Sequence, residues 1–253
     1  KKDTSWGNVA GWYDELLEGK EGTYQQDVIL PNLKRLINPQ KGEKILDIAC
    51  GQGYFSRFLD EAGAQVTGAD IAKELIGIAR IHSPKTISFE VAPADALTFA
   101  QDNSFDKALI VLALQNIENL QGAIKEAHRA LKSGGTFHIV LNHPAFRVPK
   151  ASSWEWDEKN KKQYRRIDSY MSDMKHQIEM NPWAQKENEK KFTVSFHRPL
   201  QVYFKALTKA GFAVTRLEEW VSNKESNPGP RAGEENRIRK EIPMFLMIEA
   251  KKI

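Results

Sequence analysis

The feature that most constrains this chain is the stretch Ile45-Leu46-Asp47-Ile48-Ala49-Cys50-Gly51-Gln52-Gly53-Tyr54-Phe55-Ser56, an apolar strand running into a glycine turn and then into a helix. Gly51 and Gly53 let the backbone approach a ligand with no β-carbon in the way. Seventeen residues after Gly53 the next strand ends at Asp70, where a carboxylate accepts hydrogen bonds from two ribose hydroxyls. A strand before the turn, a helix after it and an acid at the next strand's end together describe a ribose-binding crevice. Two details separate the possible ligands. A dinucleotide loop needs a third glycine to bring the helix beneath a pyrophosphate, and here that position is Ser56. Asp47, inside the first strand, repels a pyrophosphate and suits a cation. A nicotinamide oxidoreductase is disfavoured on both counts.

Around this turn, seven runs read as strands: Lys44 to Ala49, Gln65 to Asp70, Ile87 to Val91, Lys107 to Leu114, Thr136 to Asn142, Ala213 to Trp220 and Met244 to Lys251. Helical patterns separate the first five. Leu120, Ala123, Ile124, Ala127 and Leu131 follow a helical period, and Ser133-Gly134-Gly135 reads as the stop. The near-continuous apolar run from Ala108 to Leu114 is what a strand covered on both faces requires. The expected fold is α/β, a doubly wound, mostly parallel seven-stranded Rossmann-like sheet. With 41% of 253 residues apolar, the chain has the material for such a core.

Two segments break the alternation. His143 to Arg198 spans 56 residues, holds Trp154, Trp156, Trp183, Tyr164 and Tyr170, and carries a basic run, Lys159 to Arg166, that reads best as a solvated helix face. It is expected as a lid inserted after the fifth strand, over the carboxyl ends of the strands. Ser222 to Glu241, with Pro228-Gly229-Pro230, reads as a long surface loop. The organisation expected is an N-terminal lid or helical segment (1–42), a ligand-binding core (43–142), the insertion (143–198) and a completion of the core (199–253).

The net charge of +4 comes from 37 basic and 33 acidic residues spread along the chain, which argues against a dedicated polyanion binder. One cysteine, Cys50, excludes an internal disulfide, and no histidine falls at metal-ligand spacing with it, so no metal is expected. No apolar run reads as a membrane span or targeting signal, so the expected location is cytoplasmic, with no membrane partner.

Asp47-Ile-Ala-Cys-Gly51-Gln-Gly53 resembles the first motif of class I S-adenosylmethionine-dependent methyltransferases, and Asp70 matches their second-strand acid. Asp95-Ala96 resembles the pair those enzymes set against adenine. Phe105-Asp106-Lys107 and the apolar run into Gln115-Asn116 resemble the fourth-strand motif, and Leu131 to Gly135 the turn before the fifth. Trp12-Tyr13-Asp14, Asn142 to Arg147, Phe196 to Leu200 and Ala210-Gly211-Phe212 are similar to a bacterial small-molecule, type 11-like subgroup. The resemblance implies an antiparallel last strand and S-adenosylmethionine as cofactor, leaving S-adenosylhomocysteine. Its donor residues would be Asp47, Ala49, Gly51, Gly53, Asp70, Ile71, Asp95, Ala96 and Leu112, with Tyr13 from the N-terminal segment. Relatives often carry His after the fourth strand; Asn116 stands here and cannot act as a base.

The implied activity is methyl transfer to an oxygen or nitrogen of a small organic molecule by a monomer or homodimer. Such a displacement needs alignment more than catalytic groups. His143, after the fifth strand, is the candidate base, with a strand-end cap as its equal alternative; His197 is a weaker candidate. Trp12, Asn116, Arg147, Tyr164 and Arg198 are candidates for touching the acceptor. Nucleic acid is disfavoured as acceptor, because Gln115-Asn116-Ile117-Glu118 replaces an Asn-Pro-Pro-Tyr-type motif. A non-catalytic donor-binding protein stays open. Cys50 reads as a small side chain filling space under the loop.

Overall fold

The computed structural model describes residues 6–18, 22–181 and 190–253. After α1 (Ala10–Glu18) and α2 (Leu30–Ile37), strands and helices alternate: β1 (Lys44–Ile48), α3 (Tyr54–Glu61), β2 (Gln65–Asp70), α4 (Lys73–His82), β3 (Ser88–Val91), β4 (Phe105–Val111), α5 (Leu120–Ala130) and β5 (Leu131–Asn142). The segment that follows holds β6 (Ser152–Asp157), β7 (Lys162–Ile167), β8 (Met174–Glu179) and β9 (Phe192–His197). The chain closes with α6 (Leu200–Ala210), β10 (Phe212–Trp220), α7 (Ala232–Glu241) and β11 (Phe245–Lys252).

The main sheet runs β10-β11-β5-β4-β1-β2-β3. β1 to β5 are mutually parallel, and β11 lies antiparallel to both β5 and β10. The expected doubly wound, mostly parallel seven-stranded sheet with an antiparallel last strand is the fold observed. Strand parity sorts the core into two layers. Phe137, Ile139 and Leu141 of β5 face Ile124, Ala127, Tyr203 and Leu207 of α5 and α6. Val140, with Ile45 and Val66, faces Leu33, Ile37, Leu59 and Ile76 of α2, α3 and α4. Burying each such side chain contributes about 1.5–3 kcal/mol. No helix among the described residues is long and apolar enough to cross a membrane.

Between β5 and α6, β6 pairs with β7 and β8 with β9, each pair antiparallel and separate from the main sheet. This corrects the helical reading of Lys159 to Arg166. Asp157 Oδ1 accepts the backbone N–H groups of Lys159 and Asn160 at 2.9 and 3.0 Å, an Asx-type turn that starts a hairpin instead. Exposure then alternates along β7, with Arg165 half-buried and Tyr164 outward. The expected loop at 222–241 contains α7, whose single buried residue is Ile238. It lacks the apolar stripe that identifies a helix; Glu234 and Glu235 in its first turn and Arg239 and Lys240 in its last suit the helix dipole. α5 stops at Ala130, ahead of the expected glycine stop, with Leu131 already extended. β4 ends at Val111 rather than Leu114, because Leu112 turns left-handed at φ +53°.

Candidate active site

The carboxyl ends of β1, β2 and β4 open into one cavity, closed on one side by the N-terminal segment. The turn after β1 builds its floor. Gly51 takes φ +57° and Gly53 φ +83°, and Gly53 sits at the N-cap of α3. A β-carbon on Gly53 would lie 2.9 Å from the Phe89 ring, so only glycine fits without displacing that side chain. The Gly51 N–H donates to Asp70 Oδ2 at 3.0 Å, and the Ala72 N–H to Asp70 Oδ1 at 2.8 Å. Asp70 therefore ties the head of β1 to the end of β2 and keeps further lone pairs for a ligand.

Ser56, where a dinucleotide loop has glycine, is fully buried and donates its hydroxyl to Asp47 Oδ2 at 2.6 Å. Burial pushes the Asp47 carboxyl up to about 7, against the pull of that hydrogen bond. Burial raises Asp70 as well, opposed by the backbone N–H groups it accepts. Asp47 and Asp70 are 2% and 7% exposed, and among the described residues neither forms an ion pair. Two desolvated carboxylates without a cation suit a positively charged ligand and disfavour a diphosphate. Cys50 lines the same cavity with its thiol pushed well above the ordinary range by burial, Asp47 and Asp70, which fits a space-filling role and not a nucleophile.

The cavity brings together Asp47, Ala49, Gly51, Asp70, Ile71, Leu112 and Asn116 from the residues singled out in the sequence. Ala49 and Leu112 both hold left-handed conformations, φ +56° and +53°, at the ends of neighbouring strands. A non-glycine residue there costs on the order of 1–3 kcal/mol and clusters at functional sites. Asn116 Nδ2 reaches the Leu112 carbonyl at 3.4 Å.

Other candidates lie elsewhere. Asp95 accepts Asn119 Nδ2 at 2.8 Å outside the cavity lining, and Ala96 is exposed. The Tyr13 side chain and Trp183 lie outside the described residues. The N-terminal wall is Trp6 and Leu17, not Trp12. On α1, Leu17 lies seven positions from the buried Ala10 and shares its face, whereas Trp12, two positions on, points to the opposite side. Tyr54, Phe55, Leu75 and Ile117 add apolar wall, readable only once the starts of α3 and α4 are known to meet the turn.

His143 is buried at the end of β5 with both ring nitrogens engaged. Nε2 donates to Glu219 Oε1 at 2.7 Å and Nδ1 accepts the Ala145 N–H at 3.2 Å. Burial lowers its affinity for a proton, against the carboxylate of Glu219. Both ring nitrogens are thus held in the way a strand-end cap would hold them. His197 Nε2 donates to the Tyr170 carbonyl at 2.8 Å, and Arg198 Nη2 donates to the carbonyls of Ile117 and Glu118 at 2.9 and 2.8 Å. Arg198 thus pins the loop after β4. Tyr164 is half exposed on β7 and does not line the cavity. Arg147 lines a separate cavity.

Residues 46–139 match the family model described as a methyltransferase domain. That stretch is a methyltransferase domain. A solved S-adenosylmethionine-dependent methyltransferase from Mesorhizobium loti superposes with a TM-score of 0.72 at 27% identity, over 91% of this chain and all of that one. A ubiquinone biosynthesis O-methyltransferase of Idiomarina loihiensis is 35% identical over 105 residues, 40% of this chain and 43% of the relative. A demethylmenaquinone methyltransferase of Tropheryma whipplei is 35% identical over 113 residues, 44% of this chain and 46% of the relative. The chain thus spans less than half the length of these two relatives.

The cofactor of the methyltransferase domain is S-adenosylmethionine, and the cavity suits it. Asp47 and Asp70, which form no ion pair among the described residues, match a sulfonium or ammonium, and the glycine cradle leaves room for a ribose. The apolar wall from Trp6 to Ile117 suits a purine. The enclosed part measures about 120 Å³.

Proposed function

We propose that the chain moves a methyl group from S-adenosylmethionine to an oxygen or nitrogen of a small organic molecule. The observation that carries the reading is the pair of buried carboxylates, Asp47 and Asp70, left without a cation among the described residues at the head of a methyltransferase domain. The donor supplies an electrophilic methyl group. On this reading Asp70 binds the ribose, and Gly51 lets the chain pass close beneath it. Asp47 favours positive charge nearby, and Leu112 and Asn116 form the wall that orients the incoming nucleophile. Asp95 is proposed for the adenine amine, which it would reach by exchanging Asn119 as partner.

The acceptor is proposed to lie beside the carboxyl ends of β4 and β5, under the two hairpins, which act as a lid. β9 leads into Arg198, which holds Ile117 and Glu118, so the hairpins are coupled to the loop that walls the cavity. No histidine ring opens on the cavity among the described residues, which favours an acceptor that ionises on its own, such as an acidic phenol or an enol. The quinone-pathway names of the two relatives support an aromatic ring. The family match ends at Ile139, before the hairpins, so it carries no information about the acceptor.

The test is transfer of a labelled methyl group from S-adenosylmethionine across a panel of phenols, amines and organic acids. Labelled product from at least one class is expected. Donor binding with no product from any class would leave a donor-binding protein without catalysis.

A further inference from the structure

A second cavity, of about 220 Å³, opens where the chain leaves β5 and enters β11. Three arginines from three separate segments line it: Arg147 from the turn after β5, Arg165 from β7 and Arg239 from α7. Among the described residues none of the three forms an ion pair. Arg165 uses Nε on the Phe146 carbonyl at 2.9 Å and Nη2 on Ser152 Oγ at 2.6 Å, and its guanidinium lies over the Trp154 ring at 4.9 Å. Arg239 uses Nη1 on Ser226 Oγ and Asn236 Oδ1. The Arg147 side chain makes no hydrogen bond among the described residues, so its whole fork of donors is unspent.

Gathering three cations in one recess is unfavourable without an anion between them. Burial lowers the proton affinity of both Arg147 and Arg165, and the charge of Arg147 lowers Arg165 further. The described groups that face this recess include no carboxylate; the polar neighbours are Tyr24, whose hydroxyl pairs with Ser222 Oγ at 3.0 Å, and Ser222 itself. The remaining walls are flat or apolar: Trp154, Phe146, Tyr24 and Met244.

We propose that this cavity binds a small planar organic acid, its carboxylate on Arg147 between the charges of Arg165 and Arg239, its body against Trp154 and Phe146. One guanidinium with a free fork matches one carboxylate in a bidentate pair, while the other two have spent donors and contribute mainly charge. A phosphate, with three oxygens to satisfy, finds one complete fork and two partly used ones. The volume is about seven times a water molecule's share of the liquid, room for a single ring with its acid group.

The recess sits at the same end of the sheet as the donor cavity. β5 neighbours β4, and the Leu112 N–H that closes β4 bonds the Val140 carbonyl of β5 at 2.8 Å. Identification of this acid as the methyl acceptor rests on the function proposed above; its binding does not. Neighbouring strands lie about 5 Å apart, so the end of β5 that leads into the recess is one strand step from the end of β4 that lines the crevice.

The experiment is a ligand-observed NMR titration of the full chain with benzoate, benzamide and inorganic phosphate, with and without saturating S-adenosylhomocysteine. Benzoate should bind at least tenfold tighter than benzamide and than phosphate. Arg147→Gln should weaken benzoate roughly tenfold or more, the loss of a charge-assisted pair. Arg147→Lys, which keeps the charge and loses the fork, should weaken it as well. Both variants should keep the wild-type S-adenosylhomocysteine affinity, which shows that the domain is folded and reads the donor site independently. Benzoate no tighter than benzamide, phosphate tighter than benzoate, or benzoate affinity unchanged in Arg147→Gln would each overturn the proposal. Failure of methyl transfer with intact benzoate binding would overturn only the function proposed above.

Discussion

The carboxylate of Asp70 accepts the backbone N–H of Gly51 at 3.0 Å, which fastens the turn leaving β1 to the end of β2. One side chain thereby shapes the glycine cradle and presents a charge to whatever lies in it. Asp70→Ala should weaken donor binding roughly ten- to a hundredfold, the value of a charge-assisted hydrogen bond. Titration calorimetry on the folded variant checks this, and unchanged affinity would remove Asp70 from the site.

Asp47 makes stability and binding depend on pH in opposite senses. Its carboxyl is raised from 3.8 to about 7, so the folded state keeps a proton that the unfolded chain has lost. The cost is absent below about pH 4, accumulates up to about pH 7 and is constant above, reaching on the order of 4 kcal/mol. A cationic donor favours the ionised form, so S-adenosylmethionine affinity should rise over the same interval. Urea unfolding and calorimetry at pH 5 and pH 8 would show both trends, and Asp47→Asn should reduce them, leaving the part that Asp70, also raised by burial, contributes. Slopes unchanged in the variant would assign them to another group.

His143→Gln separates a cap from a base. With Nε2 on Glu219 and Nδ1 on the Ala145 N–H, the substitution should lower unfolding free energy by about 1–3 kcal/mol and leave methyl transfer within a few-fold of wild type. Loss of a general base would instead cost roughly a hundred- to ten-thousandfold.

Two glycines predict opposite signs. Gly211 ends α6 at φ +95°, and a β-carbon there would meet His128 Nε2 at 2.8 Å, so Gly211→Ala should destabilise by about 1–3 kcal/mol. Gly77 lies inside α4, and a β-carbon added to it would meet nothing within 4 Å, so Gly77→Ala should gain about 0.5–1 kcal/mol. Denaturant midpoints of the two variants test the pair.

The glycine turn and its two acids were legible because they follow from local rules. A strand, a glycine turn, a helix and an acid at the next strand's end place Asp47, Gly51 and Asp70 together whatever else the chain does. What depends on long-range packing was not. Trp12 is the better wall on residue type alone, and only the face that α1 buries gives the place to Leu17. Tyr164 and Arg165 part to opposite faces because Lys162–Ile167 is a strand, where a helix would keep them on a common arc. Arg239 could not be linked to Arg147 from a segment that reads as a loop. The ring of His143 is engaged by Glu219, a residue 76 positions away, which no local pattern reveals.

The most direct measurement is calorimetric titration of the full chain with S-adenosylmethionine, S-adenosylhomocysteine and NADH, in wild type and in Asp70→Ala. Saturable one-to-one binding of both sulfur nucleosides, weakened at least tenfold by the substitution and with no heat from NADH, is the expected result. Binding of NADH in place of the sulfur nucleosides would contradict the assignment of the crevice.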